Sequence, residues 1–257
     1  MTYTDEIQEA LGEYLLRLGD DRMILSHRLS ELCGHGPILE EDIATTNISL
    51  DLLGQAKFYY EKLAAMSDEE VTADDWVFFR DEREYWNVLL VELDNEDFAH
   101  TIVKQLFFDV FEILLYTGLL ESKDEDLRAI AEKSIKETKY HLRHSHEWML
   151  KLGGGTEESN RRLREAVEFL WQYTGELFYT DEVDELLVEA SIIPDTTKFR
   201  DEYYKTLNKI LVESELDEMD PNAWMQSGGR EGRHTEYMGH ILATMQYLPR
   251  SMPDAQW

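Results

Sequence analysis

The sequence contains little cysteine and little proline. Cys33 is the only cysteine among 257 residues, which excludes an intramolecular disulfide and any metal or iron–sulfur site built from several cysteines. Only five prolines interrupt stretches rich in Leu, Glu, Ala and Lys, a composition that favours helix over strand. Any chemistry of this chain must therefore use histidines, carboxylates or a partner.

Basic residues are also scarce. The chain has 25 Lys and Arg against 54 Asp and Glu, a formal net charge of −29. Nucleic acids and anionic membranes both require clustered Lys and Arg, so we expect neither as a partner. The acidity is typical of a highly soluble surface or of adaptation to high salt, and a basic partner is the functional alternative.

Long apolar runs are absent. No segment approaches the roughly 18 uninterrupted apolar residues of a membrane span, and the acidic start "MTYTDEIQEA" has no apolar run behind it. We therefore expect a cytoplasmic protein. With 43% hydrophobic residues the chain can bury a sizeable core, and we predict one domain over residues 1–257.

Apolar residues recur at spacings of three and four along most of the chain, which predicts helices. The predicted helices cover residues 4–32, 40–65, 96–120, 125–152, 156–178, 196–214 and 234–248. The first four form two long hairpins, and 66–95 is a connection or a set of short helices. This pattern predicts an all-α, ferritin-like helical bundle: two long helix hairpins with additional C-terminal helices.

The stretch "IKETKYHLRHSHEWM", residues 135–149, contains three of the eight histidines. A helical wheel places His141 inside the apolar arc and Glu137 at its edge, so we predict that both point inward. A di-iron carboxylate bundle uses ExxH on two helices. Here the spacing is ExxxH, which keeps both residues on one face but departs from that pattern.

The second predicted helix lacks the matching ligands. Its inward face carries Leu52 and Gln55 where a second ExxH motif would have Glu and His. Leucine donates nothing, and a neutral amide is a poor substitute for imidazole on iron. We therefore predict no metal site and no catalytic residue, with a lopsided zinc or iron site at His141 and His144 as the alternative.

Other inward polar residues suggest a substitute for metal. Arg28 falls among apolar residues of the first helix, and Asp109 borders the apolar face of the third. A guanidinium can supply the positive charge that metal ions would bring. We predict a structural polar plug in which Arg28 pairs with two carboxylates, Asp109 and Glu137, while Gln55 and His141 complete the hydrogen bonding.

Five motifs, in order along almost the whole chain, resemble the family of C subunits of phenylacetyl-CoA epoxidase. They are "LRLGDDRMILSHRLSELCGHGP", "NISLDLLGQAK", "FFRDEREYWNVLLVELDNEDFAHTI", "KETKYHLRHS" and "SGGREGRHTEYMGHILATMQYLPR". The departures are an extension of roughly ten residues before "YLLRLGD" and the strong acidity.

The resemblance implies a ferritin-type bundle with a degenerate di-iron site. It implies a noncatalytic structural subunit in phenylacetate catabolism that binds no cofactor itself and supports the di-iron catalytic subunit (A). The reductase and small subunits of the same complex are further implied partners. The alternatives are an independent ferritin-like metal-dependent oxidase and a homo-oligomeric storage or scaffold protein.

Several segments have competing interpretations. "CGHG", residues 33–36, predicts a helix-terminating turn rather than a thiol–imidazole pair. "SGGREG", residues 227–232, resembles a phosphate-binding loop but lacks both the GxxxxGK spacing and a preceding strand. The aromatic segment 76–86 and the tail 234–247 are candidates for a subunit interface, because Trp, Tyr and Arg are residue types that suit an interface core.

Overall fold

The computed structural model describes residues 3–67, 70–253 and 255. Within these residues all regular structure is helical, which confirms the all-α class, and no helix is long and apolar enough to cross a membrane. The α-helices are α1 (Asp5–Ser30), α2 (Leu39–Met66), α3 (Ala73–Phe78), α4 (Leu89–Glu92), α5 (Phe98–Leu119), α6 (Glu125–Gly153), α7 (Glu157–Trp171), α8 (Glu182–Glu189), α9 (Arg200–Glu213) and α10 (Glu236–Ser251).

The contacts of the described residues divide into two compact units. We call Asn95–Ser227 the central unit, and Thr2–Asp94 with Gly228–Trp257 the terminal unit. Each unit contains one of the two long hairpins predicted from the sequence, α1–α2 in the terminal unit and α5–α6 in the central unit. A single domain over 1–257 stays a prediction.

The α1–α2 hairpin of the terminal unit joins two amphipathic faces. Leu52 and Gln55, predicted to face inward on α2, are both buried, and so are Ile48, Ala56, Tyr59 and Leu63 on the same helix. Gly19 in the middle of α1 allows the Tyr60 ring to approach, since a Cβ there would lie 2.9 Å from ring carbons. This glycine therefore serves helix packing, and α1 runs through it without a break.

The connection between α1 and α2 is the turn predicted for "CGHGP". Gly34 adopts the left-handed conformation with φ 82°, which a glycine tolerates at a helix C-terminus. The Asp42 carboxylate accepts hydrogen bonds from the backbone N–H groups of Gly34 at 2.7 Å and Gly36 at 3.3 Å. Cys33 is exposed, and His35 Nδ1 lies 3.2 Å from the Cys33 carbonyl oxygen. The turn interpretation is confirmed.

The central unit is built around α5, which packs against α6, α7 and α9. Its aromatic residues Phe107, Phe108 and Phe111 lie in the core. Phe107 meets Trp171 edge to face with ring centroids 5.8 Å apart, and Phe111 meets Phe178 at 5.7 Å. Edge-to-face pairs at these distances add to the free energy of apolar burial.

Two helices of the central unit differ from the sequence prediction. The predicted helix 156–178 ends at Trp171, and Gly175–Phe178 forms a separate 3-10 turn. The helix α8 was not predicted, because its eight residues are too few to show a helical period. Its local signal is Asp181, whose carboxylate caps the N–H groups of Val183 and Asp184.

Two helical glycines should respond in opposite directions to alanine. A Cβ on Gly153 would overlap the Ser214 carbonyl oxygen, whereas a Cβ on Gly54 would meet nothing within 4 Å. We expect Gly153→Ala to lower the free energy of unfolding by about 1–3 kcal/mol through overpacking. We expect Gly54→Ala to raise it by about 0.5–1 kcal/mol through helix propensity. Urea unfolding of both variants measures the difference, and equal effects would contradict the close approach of α6 to Ser214.

Candidate functional site

Arg28 and Gln55 are buried in the terminal unit, as the wheel predicts. Arg28 Nε donates to the Glu92 carbonyl oxygen at 2.9 Å, and Nη1 donates to both carboxylate oxygens of Glu31 at 3.0 and 3.1 Å. Its Nη2 donates to the Tyr237 carbonyl oxygen at 3.4 Å. The pairing of Arg28 with Asp109 and Glu137 stays a prediction.

Asp109 is fully buried on α5 in the central unit. Its Oδ1 accepts a hydrogen bond from Gln105 Nε2 at 2.6 Å, and its Oδ2 accepts one from Ser145 Oγ at 2.9 Å. Burial disfavours the carboxylate and raises the pKa of Asp109 to about 7, although the charge of His141 opposes this shift. The donors to Asp109 are thus an amide and a hydroxyl.

Glu112 lies one turn along α5 from Asp109 and is also fully buried. Its Oε1 accepts a hydrogen bond from Tyr116 Oη at 3.3 Å, and its Oε2 accepts one from Thr138 Oγ1 at 3.4 Å. Glu112, Thr138 and Ser145 were not predicted from the sequence as site residues. A signal was available in the spacing of Asp109 and Glu112, which places them on one helical face.

The three histidines of α6 differ in how deeply they are buried. His141 is fully buried and interacts electrostatically with Asp109, so the structure brings these two predicted residues together. Glu137 and His144 are half-buried, at the edge of the helix face. His146 is also half-buried, and its Nε2 lies 3.2 Å from a carboxylate oxygen of Glu213. Thr138, rather than Glu137, is fully buried beside His141 on α6.

The described residues do not fit a resident pair of iron ions. Among residues 3–67, 70–253 and 255, no group of three or more His, Cys, Asp or Glu could hold a metal ion. The oxygens of Asp109 and Glu112 accept hydrogen bonds from protein donors. On α2, the buried positions expected to carry ligands are Leu52 and Gln55. Leu52 offers no donor atom, and the neutral amide of Gln55 is a poor ligand for iron.

Asp20, in the middle of α1, anchors a buried cluster that the sequence analysis missed. Its Oδ1 accepts from Tyr60 Oη at 2.6 Å, and its Oδ2 accepts from the Trp86 N–H at 2.9 Å. Arg80 forms a bidentate ion pair with the same carboxylate, with Nη1 3.0 Å from Oδ2 and a shorter bond from Nη2. This cluster ties the connection after α3 to α1.

Asp21 forms a second buried ion pair with Arg230. Arg230 Nη2 lies 2.7 Å from Oδ2 and Nη1 lies 3.1 Å from Oδ1, while the Val88 N–H donates to Oδ1 at 2.8 Å. The side chain of Asp21 is 1% exposed and that of Arg230 is 9% exposed. Gly229 packs against the Asn87 carbonyl oxygen, where a Cβ would overlap. The glycines of "SGGREG" thus bring Arg230 to α1.

Glu92 and His234 form a third buried pair, with both side chains 0% exposed. His234 Nδ1 lies 2.7 Å from Glu92 Oε2, and Nε2 lies 2.9 Å from the Tyr85 carbonyl oxygen. Because the Glu92 carboxylate and the Tyr85 carbonyl oxygen are acceptors, this geometry favours the ring form in which both nitrogens carry a proton. Burial opposes this charge, but the hydrogen bond and charge of Glu92 outweigh it and raise the pKa of His234.

The two segments predicted as interface candidates contact each other within the terminal unit. In addition to the His234–Tyr85 hydrogen bond, Gln246 Nε2 donates to the Arg80 carbonyl oxygen at 2.8 Å. The sequence did contain a signal for these clusters, since Asp20 and Asp21 are flanked on both sides by the apolar residues of "LRLGDDRMIL". Acids buried at such positions require partners.

The two long hairpins and the buried carboxylates of α5 define an all-α protein of the ferritin-like class. The chain belongs to the phenylacetic acid catabolic protein family, whose model matches residues 1–257. It is 45% identical over 250 residues to a protein of Escherichia coli (strain K12), the C subunit of 1,2-phenylacetyl-CoA epoxidase. That match covers 96% of this chain and 99% of the E. coli protein, and it confirms the resemblance identified from the five motifs.

Proposed function

We propose that this chain is a noncatalytic structural subunit of a multicomponent phenylacetyl-CoA ring epoxidase. In this role it binds no iron and supports a separate di-iron catalytic subunit (A). The reductase and small subunits are further members of the same complex. The observation that carries the proposal is the poor donor set, with Leu52 and Gln55 at buried ligand positions. The full-length similarity to the C subunit of an epoxidase supports the choice of complex.

The role of such a subunit follows from packing. An obligate interface between helical subunits commonly buries about 2,000 Å² or more, which is enough to hold catalytic helices in position. Positioning matters because a misplacement of about 1 Å can reduce the rate about a hundredfold. The buried ion pairs of Asp20, Asp21 and Glu92 would give this chain a fixed shape against which the catalytic subunit is held.

Co-expression with the catalytic subunit encoded in the same genome tests the proposal. We expect the two chains to co-purify, the iron to remain with the catalytic subunit, and Glu112→Gln in this chain to leave the iron content of the complex unchanged. Turnover of phenylacetyl-CoA should require the catalytic subunit and be absent with this chain alone.

The competing function is an independent metal-dependent oxidase. Its support is the buried pair of Asp109 and His141, with Glu112 one helical turn away. Iron bound by this chain alone, and lost in both Glu112→Gln and His141→Ala, would establish that function and overturn ours. If the two chains co-purified neither at low nor at high salt concentration, that result would also count against the structural-subunit proposal.

A further inference from the structure

A row of large apolar side chains lies exposed on the outer face of α2. Leu39 is 70% exposed, Ile43 53%, Leu50 57% and Leu53 39%, and Ile38 beside them is 51% exposed. We call Leu39, Ile43, Leu50 and Leu53 the outer seam. Single exposed apolar residues need no explanation, but a contiguous apolar row marks an interaction surface.

The outer seam makes α2 apolar on two sides. Its opposite face, which includes Ile48, Leu52 and Ala56, is buried in the α1–α2 hairpin. The apolar face of a helix is normally packed against another element. On α2, however, the outer side is open in this chain. The sequence of α2 therefore indicates a second chain that covers the outer seam.

The spacing of the outer seam specifies the shape of its occupant. From Leu39 to Ile43, Thr46, Leu50 and Leu53 the steps are four, three, four and three residues. This average of about 3.5 residues is the period at which one helix packs along another. A flat sheet or an extended peptide imposes no such period. The occupant is accordingly a helix lying lengthwise along α2.

Charge distinguishes a different chain from a second copy. The helix α2 carries five acidic and two basic residues, and exposed Glu40 and Glu61 border the outer seam. Pairing two copies of α2 would place acid beside acid in a chain of net charge −29. Like charges facing each other across an interface oppose association. A partner helix with Lys or Arg beside its apolar row would be complementary.

We infer that the outer seam of α2 is the docking surface for an apolar, basic-flanked helix of the catalytic subunit. This inference rests on the proposed function and goes beyond it by assigning the surface. Leu50, the most exposed residue in the middle of the seam, is its centre. The segments 76–86 and 234–247 are then internal supports of the terminal unit rather than the main interface.

Binding of purified catalytic subunit to three forms of this chain tests the inference. The forms are wild type, Leu50→Asp, and the matched control Leu150→Asp, which places the same change at a 40% exposed leucine on α6. We expect Leu50→Asp to weaken binding about thirtyfold or more and Leu150→Asp to change it less than about threefold. Both variants should keep the wild-type thermal midpoint within about 2 °C, because both leucines are exposed.

A photo-crosslinking side chain at position 50 gives an independent measurement. We expect it to label a helix of the catalytic subunit, while the same group at position 150 does not. If wild type binds and Leu50→Asp binds equally well, the outer seam is not the docking surface, although the proposed function stands. If wild type does not bind, both are overturned. If this chain alone is a dimer that Leu50→Asp dissociates, a second copy covers the seam and the inference is wrong.

Discussion

We expect Arg230→Ala to lower the free energy of unfolding by about 3–5 kcal/mol, because it leaves the buried Asp21 carboxylate without its ion-pair partner. Among the described residues, the remaining donor to Asp21 is the Val88 N–H. For a chain of this size the thermal midpoint should fall by about 10 °C. Urea unfolding followed by circular dichroism, together with a thermal scan, measures both quantities.

The matched control is Arg164→Ala. Arg164 pairs with Asp217 at 3.0 Å, but these side chains are 43% and 91% exposed. Exposed pairs contribute about 0–1 kcal/mol, so this variant should be nearly as stable as wild type. A double-mutant cycle that combines Arg230→Ala with Asp21→Ala should give a coupling free energy of about 2–3 kcal/mol. If Arg230→Ala matched Arg164→Ala, the buried pair would not stabilise the terminal unit.

The second large effect is a pH dependence caused by Asp109. Its pKa is raised from 3.8 to about 7 by burial. Between these values the folded chain binds a proton that the unfolded chain has lost, so stability falls as the pH rises through this window. Below pH 3.8 the raised pKa of Asp109 does not reduce the free energy of unfolding, and above about pH 7 the reduction is complete. Asp109→Asn removes this titration. We expect the free energy of unfolding of this variant, relative to wild type, to rise by about 1 kcal/mol per pH unit between about pH 5 and 6.5.

Asparagine suits this site because Gln105 Oε1 accepts no hydrogen bond from the described residues and could accept one from the new amide. Asp109→Ala is the contrasting variant. It leaves the donors of Gln105 and Ser145 without an acceptor, and we expect its thermal midpoint to be several degrees lower than wild type. A constant difference between Asp109→Asn and wild type from about pH 5 to about pH 8 would show that Asp109 titrates at its ordinary value.

The long helices were predictable because their periodicity is repeated many times. The predicted bounds 40–65 and 125–152 differ by one residue at most from those of α2 and α6. Each of these helices repeats its inward face over seven or more turns, so one misleading residue cannot change the pattern. The short helix α8 has only two turns, so its caps carry more information than its apolar spacing.

The sequence predicted which side chains of the candidate site are buried, but not which residues they pair with. Gln55, Asp109 and His141 each stand at an inward position of the wheel, and all three are fully buried. Their partners depend on which helices meet and at what height, which a wheel does not contain. Arg230 and His234 illustrate the limit. They pair with Asp21 and Glu92 more than 140 positions away in the sequence.

The terminal unit is discontinuous, since Thr2–Asp94 and Gly228–Trp257 are separated by the whole central unit. Asp21 and Glu92 are therefore synthesised well before their partners Arg230 and His234. Until residues 228–257 are synthesised, the nascent chain lacks the side chains that pair with Asp21 and Glu92. Premature termination anywhere before Gly228 would yield a chain whose first half cannot mature, and cellular proteases would be expected to remove it.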